Sequence, residues 1–306
     1  MNLPDYGQPP YAGPLSFARA PSPQGTWEAD VAVLGIPFDL ALGYRPGARS
    51  APRALREASL RYAPGPEGYY DPRRDRYRLA GCRIVDAGDV SLPALDLAET
   101  HRCVAEAASW LRGRCRLPVF LGGDHSVSYP LLLAYSELPA FEVVQIDAHL
   151  DFSDRRQGSP YTNSSPFRRA CLALPALRRI TTIGLRGLRH DPEAVAEAKR
   201  RGHRLIFMED LDRAAELLPS GALVYLSIDV DALDPSFLPG TSSPEPGGLS
   251  YGQLVGLLAP LLATNRLIGL DLVELSPALD PSGLSSLVAA RLLMEALCLW
   301  QEGGGP

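Results

Sequence analysis

Apolar residues in this chain fall into short, nearly continuous runs separated by stretches of helical spacing. The runs are VAVLGI (31–36), RIVDAG (83–88), PVFLGG (118–123), EVVQIDA (142–148), RITTIGL (179–185), RLIFM (204–208), LVYLSIDVD (223–231) and RLIGLDLVE (266–274). Continuous rather than alternating apolarity suits strands covered on both faces, as in a parallel sheet. Helical spacing occupies 52–59, 95–113, 191–201, 250–264 and 283–300, the first opening with Pro52 at a first-turn position. This alternation predicts βαβ crossovers and a doubly wound α/β fold. No linker-like stretch interrupts 29–302, so one domain is expected over 29–306. Residues 1–28, rich in Pro, Gly and polar groups, read as an N-terminal arm on the surface or on a neighbouring subunit. The end, QEGGGP, reads as frayed.

Composition narrows the function classes. The net charge of −5 gives no overall basic field for nucleic acid or an anionic membrane. Lys199 is the sole lysine, a compositional habit rather than a functional sign. Cys82, Cys103, Cys115, Cys171 and Cys298 are odd in number, far apart and without a CxxC pair. That speaks against a disulfide framework or a zinc knuckle, and they are expected as buried small hydrophobes. The N-terminus shows no basic region followed by an apolar run, and no stretch approaches the roughly 20 apolar residues of a membrane span. A cytoplasmic protein with no nucleic-acid or membrane partner is expected.

In open parallel sheets, ligands bind beyond the carboxyl ends of the strands. Four predicted strands run there into polar residues: Asp124-His125-Ser126, Asp147-Ala148-His149-Leu150-Asp151, Asp229-Val230-Asp231, and Glu274. Alternate side chains on a strand share a face, so Asp147, His149 and Asp151 can converge as their strand ends. Asp229 and Asp231 repeat the arrangement, and His125 completes a set of four carboxylates and two imidazoles. Four carboxylates at one place resist ionising unless cations compensate, and a pair of divalent ions does so. Oxygen-dominated ligation with a minority of imidazole and no thiolate favours Mn²⁺ over Zn²⁺. Asp124 is expected to orient an imidazole ligand from behind, and Asp234-Pro235 to form a turn. GLRGLR (184–189) is a weak phosphate-loop signal, because no Gly-Lys-Ser/Thr follows.

The motifs LGGDHS (121–126), DAHLD (147–151) and SIDVDALDPSFLPGTSSPEPGG (227–248) resemble those of the ureohydrolase family of arginases and agmatinases. GIPFD (35–39), RPGARSAPRALREAS (45–59) and DLVELSP (271–277) extend the resemblance over nearly the whole chain after residue 30, closest to agmatinase. It implies a three-layer α/β/α sandwich with a mostly parallel eight-stranded sheet, as in the arginase/deacetylase fold. It also implies two Mn²⁺ per subunit and a trimeric or hexameric homo-oligomer. His125 and Asp151 would belong to the first ion, His149 and Asp231 to the second, with Asp147 and Asp229 between them. Glu274 would grip the guanidinium of a small substrate, which is cleaved to urea. The expected substrate is agmatine, giving putrescine. The alternatives are another guanidino compound (guanidinobutyrate, guanidinopropionate or guanidine) and, remotely, a metal-binding protein without catalysis.

One position departs from the family pattern. Where many members carry a His that shuttles a proton to the leaving amine, TNSSPFRRA (162–170) has Asn163. An amide is not a general acid near neutral pH, so either Asn163 only positions substrate and water shuttles the proton, or another group does. His101 and His203 are expected at the surface, which leaves His190 as the imidazole best placed to substitute. The loop 152–166 does not resemble the arginine-reading loop of arginases; its Arg155 and Arg156 read either as solvated loop charges or, if they reach the site, as favouring a guanidino acid over a cationic tail.

Overall fold

The computed structural model describes residues 9, 12–65, 67–93 and 95–304. In chain order its elements are β1 (Ala29–Gly35), α1 (Ala51–Ser59), β2 (Tyr69–Asp71), β3 (Arg76–Arg78), β4 (Ile84–Asp89) and α2 (Leu97–Arg112). Next come β5 (Cys115–Leu121), α3 (Ser128–Leu133), β6 (Phe141–Ile146), α4 (Pro166–Ala173), β7 (Leu177–Leu185) and α5 (Pro192–Arg200). The chain ends with β8 (Arg204–Phe207), α6 (Ala214–Leu217), β9 (Leu223–Asp229), α7 (Tyr251–Thr264), β10 (Arg266–Val273) and α8 (Leu284–Glu302).

Eight strands form one sheet in the order β4-β1-β5-β10-β9-β6-β7-β8, and every neighbouring pair is parallel. These are the eight apolar runs of the sequence. Both faces are covered, which is why the runs do not alternate. Within β1, Val31 and Val33 face the layer of α1, α7 and α8, whereas Ala32 and Leu34 face α2, α3, α4 and α5. The result is an α/β/α sandwich with a separate apolar core on each side of the sheet. Helix ends follow local chemistry: the Asp96 side chain accepts from Glu99 N–H to start α2, and Ser250 and Gln253 close a reciprocal cap on α7.

Several local expectations need correction. Helix α8 has 19 residues and enough apolar character to cross a bilayer by composition, although no such run was expected; its apolar residues are buried in the core against α1 and α7. At the frayed-looking end, α8 continues to Glu302, whose carboxylate holds Arg78 at 2.6 Å; 305–306 lie outside the described residues. In the N-terminal stretch, 1–8, 10 and 11 also lie outside them. The described part enters this chain's own core: Phe17 is fully buried and its N–H donates to Asp86 Oδ2 at 2.7 Å. Of the five free cysteines only Cys298 is fully buried, the others being half-buried.

The four strands that carry the candidate ligands, β5, β10, β9 and β6, are adjacent in the middle of the sheet. Their carboxyl ends therefore open at one place. In-register pairing of Val273 with Asp229 brings Glu274 beside the β9 acids. Gly123 must be glycine here, because a Cβ would run into the Phe38 carbonyl.

Candidate metal centre and substrate pocket

All six predicted ligands come together. His125 opens the turn after β5, and its Nδ1 lies 3.2 Å from Asp147 Oδ2, 3.0 Å from Asp151 Oδ2 and 3.2 Å from Asp229 Oδ2. His149 Nδ1 lies 3.0 Å from Asp231 Oδ2 and 3.6 Å from Asp147 Oδ1. Asp147 thus turns one oxygen to each imidazole, as a carboxylate between two ions requires. His125, Asp147, Asp151 and Asp229 form one potential cation site, and Asp147, His149 and Asp231 a second. Asp229 faces only the first: its other oxygen accepts the Asp231 N–H at 2.9 Å.

Backbone geometry aims these groups. Asp151 (φ 48°) and Glu274 (φ 64°) occupy the left-handed region, unusual for residues with a Cβ. Each sits where its chain leaves the sheet and turns its side chain back into the site.

The site gathers four buried or half-buried carboxylates around two imidazoles, with no lysine or arginine paired to them among the described residues. His125, Asp147, Asp229 and Asp231 are essentially excluded from solvent. Burial, and then the charges of Asp231 and Asp147, push Asp229 well above the usual carboxylate range. Burial also drives Asp151 up to about 6. On Asp147 the same desolvation is outweighed by the His125 and His149 hydrogen bonds, which hold it well below its ordinary value. His149 is burdened by burial, but Asp231 and Asp147 overcome it and raise the imidazole to about 12. Meanwhile His125 Nδ1 is buried without a hydrogen-bond partner. A buried ring nitrogen without a hydrogen-bond partner, facing three carboxylate oxygens, fits a divalent cation that takes the place of its proton.

Glu274 completes the site. Its Oε1 accepts from His125 N–H at 2.9 Å and Asn163 Nδ2 at 3.3 Å, and its Oε2 from Ser242 Oγ at 2.9 Å. Burial, followed by the charge of Asp124, raises it to about 8. Among the described residues no cationic side chain pairs with it, so it is not the buried structural salt bridge that a lone core glutamate suggests. A buried carboxylate left without a cation fits a ligand that brings one.

Asp124 does not orient an imidazole. Its Oδ1 accepts from Ser126 N–H at 3.0 Å and its Oδ2 from Ala41 N–H at 3.0 Å, so it ties the β5 turn to the 40–47 loop. In the same region Asp39 Oδ2 accepts from Gly47 and Arg49 N–H, joining the GIPFD and RPGARS motifs. Asp234 makes the expected turn, accepting from Ser236, Gly247 and Gly248 N–H. His101 and His203 are not surface groups: His101 packs edge-on against Tyr129 and Tyr161, and His203 against Phe152.

A cavity of about 270 Å³ leads to the cluster, lined by Asn163, Glu274, Arg156, Arg186, Arg189, His190, Asp191 and Glu245 among others. Sequence reasoning gave no role to Arg186. It is buried and donates to the carbonyls of Gly184, Asp231, Ala232, Leu233, Glu245 and Pro246, clamping the loop after β9 against the segment that carries Glu245. Arg189 lies 3.5 Å from Glu245, and Asp191 caps α5. Arg156 lines the cavity, and among the described residues no acid pairs with its guanidinium. Arg155 instead donates to the Gly158 carbonyl at 3.1 Å.

Known proteins are similar to this chain over most of its length. Guanidinopropionase of Pseudomonas aeruginosa is 35% identical over 96% of this chain and 94% of its own. An agmatinase of Halalkalibacterium halodurans is 34% identical over 88% of this chain and 91% of its own. The structure of proclavaminate amidino hydrolase from Streptomyces clavuligerus superposes with a TM-score of 0.87 and 30% identity, covering 97% of this chain and 100% of that one. The Arginase family profile matches residues 29–299. With eight parallel strands, the paired imidazole–carboxylate sites and this breadth of similarity, the chain belongs to the arginase family and is a hydrolase of that family.

Proposed function

We propose that this enzyme releases urea from a small guanidino acid, with two Mn²⁺ held by His125, Asp147, Asp151 and Asp229 on one side and by Asp147, His149 and Asp231 on the other. When bound, such a pair would lower the pKa of a water and so supply hydroxide near neutral pH. The oxygen-rich donor set, without thiolate, supports manganese. The chain's own residues supply orientation. Glu274 accepts N–H bonds from the guanidinium and fixes its carbon over the cluster. Asn163 donates a hydrogen bond to Glu274, and its amide is not acidic enough to protonate a leaving amine. His190, at the pocket wall, is the imidazole there that lies outside the cluster.

The observation that carries the substrate assignment is the uncommitted guanidinium of Arg156. Arg186 is used up on carbonyls, Arg189 and Glu245 approach each other, Asp191 caps a helix, and the acids of the cluster are the ones proposed to hold the two ions. That leaves one positive charge in the cavity for the far end of the substrate. A carboxylate fits it as a bidentate partner, whereas an ammonium tail would be repelled.

Agmatine, the substrate expected from the motifs, remains a second reading because of Glu245. Its carboxylate lines the same cavity, and its contact to Arg189 is long at 3.5 Å. Urea release from guanidinopropionate, guanidinobutyrate, agmatine and arginine by the Mn²⁺-loaded enzyme separates the two. Guanidino acids are expected to lead; a clear preference for agmatine overturns the first reading. Glu274→Gln, with metal content unchanged, is expected to lower kcat/KM on every substrate by about 10²-fold, the scale of a lost charge-assisted bond.

The same proposal takes the enzyme as cytoplasmic, with one catalytic domain over 29–306 preceded by the N-terminal stretch. It also takes it as a homo-oligomer, trimeric or hexameric. The net charge of −5 supports the absence of a nucleic-acid or membrane partner.

A further inference from the structure

We infer that Asp271 is a positioning residue for the cation site at His125, acting through Ser227 to decide which imidazole nitrogen is left free for a metal ion. Asp271 lies within β10, fully buried. Three hydroxyls donate to it: Ser227 Oγ to Oδ1 at 2.6 Å, and Ser128 Oγ and Tyr225 Oη to Oδ2, each at 2.8 Å. Ser227 is its in-register neighbour on β9.

A serine hydroxyl has one hydrogen. Ser227 commits it to Asp271, so only its lone pairs face His125 Nε2, 3.0 Å away. Nε2 must therefore carry the ring hydrogen and donate. In a neutral imidazole the other nitrogen, Nδ1, then holds the lone pair. This is the atom that faces Asp147, Asp151 and Asp229. Serine alone would leave the choice open, because it can donate to Nε2 as easily as accept from it. The buried carboxylate removes that choice.

His149 has no such support. Its Nε2 is buried without a hydrogen-bond partner, and the nearest acid, Glu245, is 3.8 Å away. The effect of Asp271 is thus confined to one of the two sites. The inference concerns cation binding alone, so its failure would leave the substrate proposal untouched.

The test is a titration of the metal-stripped protein with Mn²⁺, followed by electron spin resonance, for wild type, Ser227→Ala, Asp271→Asn and the double variant. Each single variant is expected to weaken one of the two ions about 10- to 100-fold, the usual cost of losing support behind a metal-bound histidine. The other ion keeps its affinity. The double variant is expected to be no weaker than Ser227→Ala, because Asp271 acts only through that hydroxyl. Tyr225→Phe, which leaves the Ser227–Asp271 bond in place, is expected to retain both affinities. Additive losses in the double variant, equal weakening of both ions, or a lower melting temperature with unchanged affinities overturns the inference. Should Asp271→Asn fail to fold, Ser227→Ala decides alone: unchanged Mn²⁺ affinity overturns it.

Discussion

Asn163 Nδ2 donates to Glu274 Oε1 across 3.3 Å, so the residue at the position where a proton-shuttle histidine is expected is tied to the carboxylate proposed to hold the guanidinium. On the proposed reading its amide steers Glu274 instead of moving a proton. Asn163→Ala is expected to cost about 1 kcal/mol, or roughly fivefold in kcat/KM, as for one long hydrogen bond to a charged group. Asn163→Asp is expected to cost more, because it sets a second carboxylate against Glu274. Steady-state kinetics on the two variants checks the order; an aspartate variant equal to wild type contradicts it.

His101 makes stability depend on acid. Burial lowers it to about 4, and its Nε2 finds no hydrogen-bond partner between Tyr129 and Tyr161. A depressed histidine contributes stability above its unfolded pKa of about 6.5 and loses it as pH falls toward the folded value. At pH 5 the loss is roughly 2 kcal/mol. His203, also lowered to about 4 through burial, acts in the same direction. His101→Phe is therefore expected to melt close to wild type at pH 7.5 and above it at pH 5. Parallel melting curves at the two pH values would count against a buried neutral His101.

Metal binding should release protons. In the metal-free protein His149 is raised to about 12, burial being overcome by Asp231 and Asp147. His125 is raised well above its ordinary value, burial there being overcome by Asp147, Asp151 and Asp229. A metal ion needs both imidazoles neutral, so it displaces those protons. Mn²⁺ binding enthalpy is expected to vary with the ionisation enthalpy of the buffer, and affinity to fall as pH is lowered. Chelation is expected to lower the melting temperature, with Mn²⁺ restoring it. A buffer-independent enthalpy would contradict the protonated cluster.

The strands of the main sheet were legible because burial on both faces leaves continuous apolar runs. The hairpin of β2 and β3 was not: YYD and RYR are short, polar and exposed. The candidate ligands stood out because ionisable side chains follow three separate strand ends, a joint occurrence that single structural caps do not explain. Asp271 gave no comparable signal, since one acid inside RLIGLDLV is indistinguishable by pattern from any satisfied core carboxylate. Arg186 was hidden for the opposite reason: in an arginine-rich chain, only the fold shows that its guanidinium points inward onto six carbonyls. His101 was misplaced because helix position alone does not reveal which face its neighbours cover, and His203 because nothing in the turn between α5 and β8 shows that Phe152 packs against it.

The most direct test of the account compares 4-guanidinobutyrate with agmatine, near-isosteric substrates that differ in carrying a carboxylate or an ammonium, in wild type and Arg156→Ala. The account predicts that wild type prefers guanidinobutyrate. It also predicts that the variant loses that preference by about 10-fold or more through KM, the worth of one charge-assisted pair, while agmatine turnover holds or improves. Preference for agmatine in wild type, or an unchanged ratio in the variant, would contradict it.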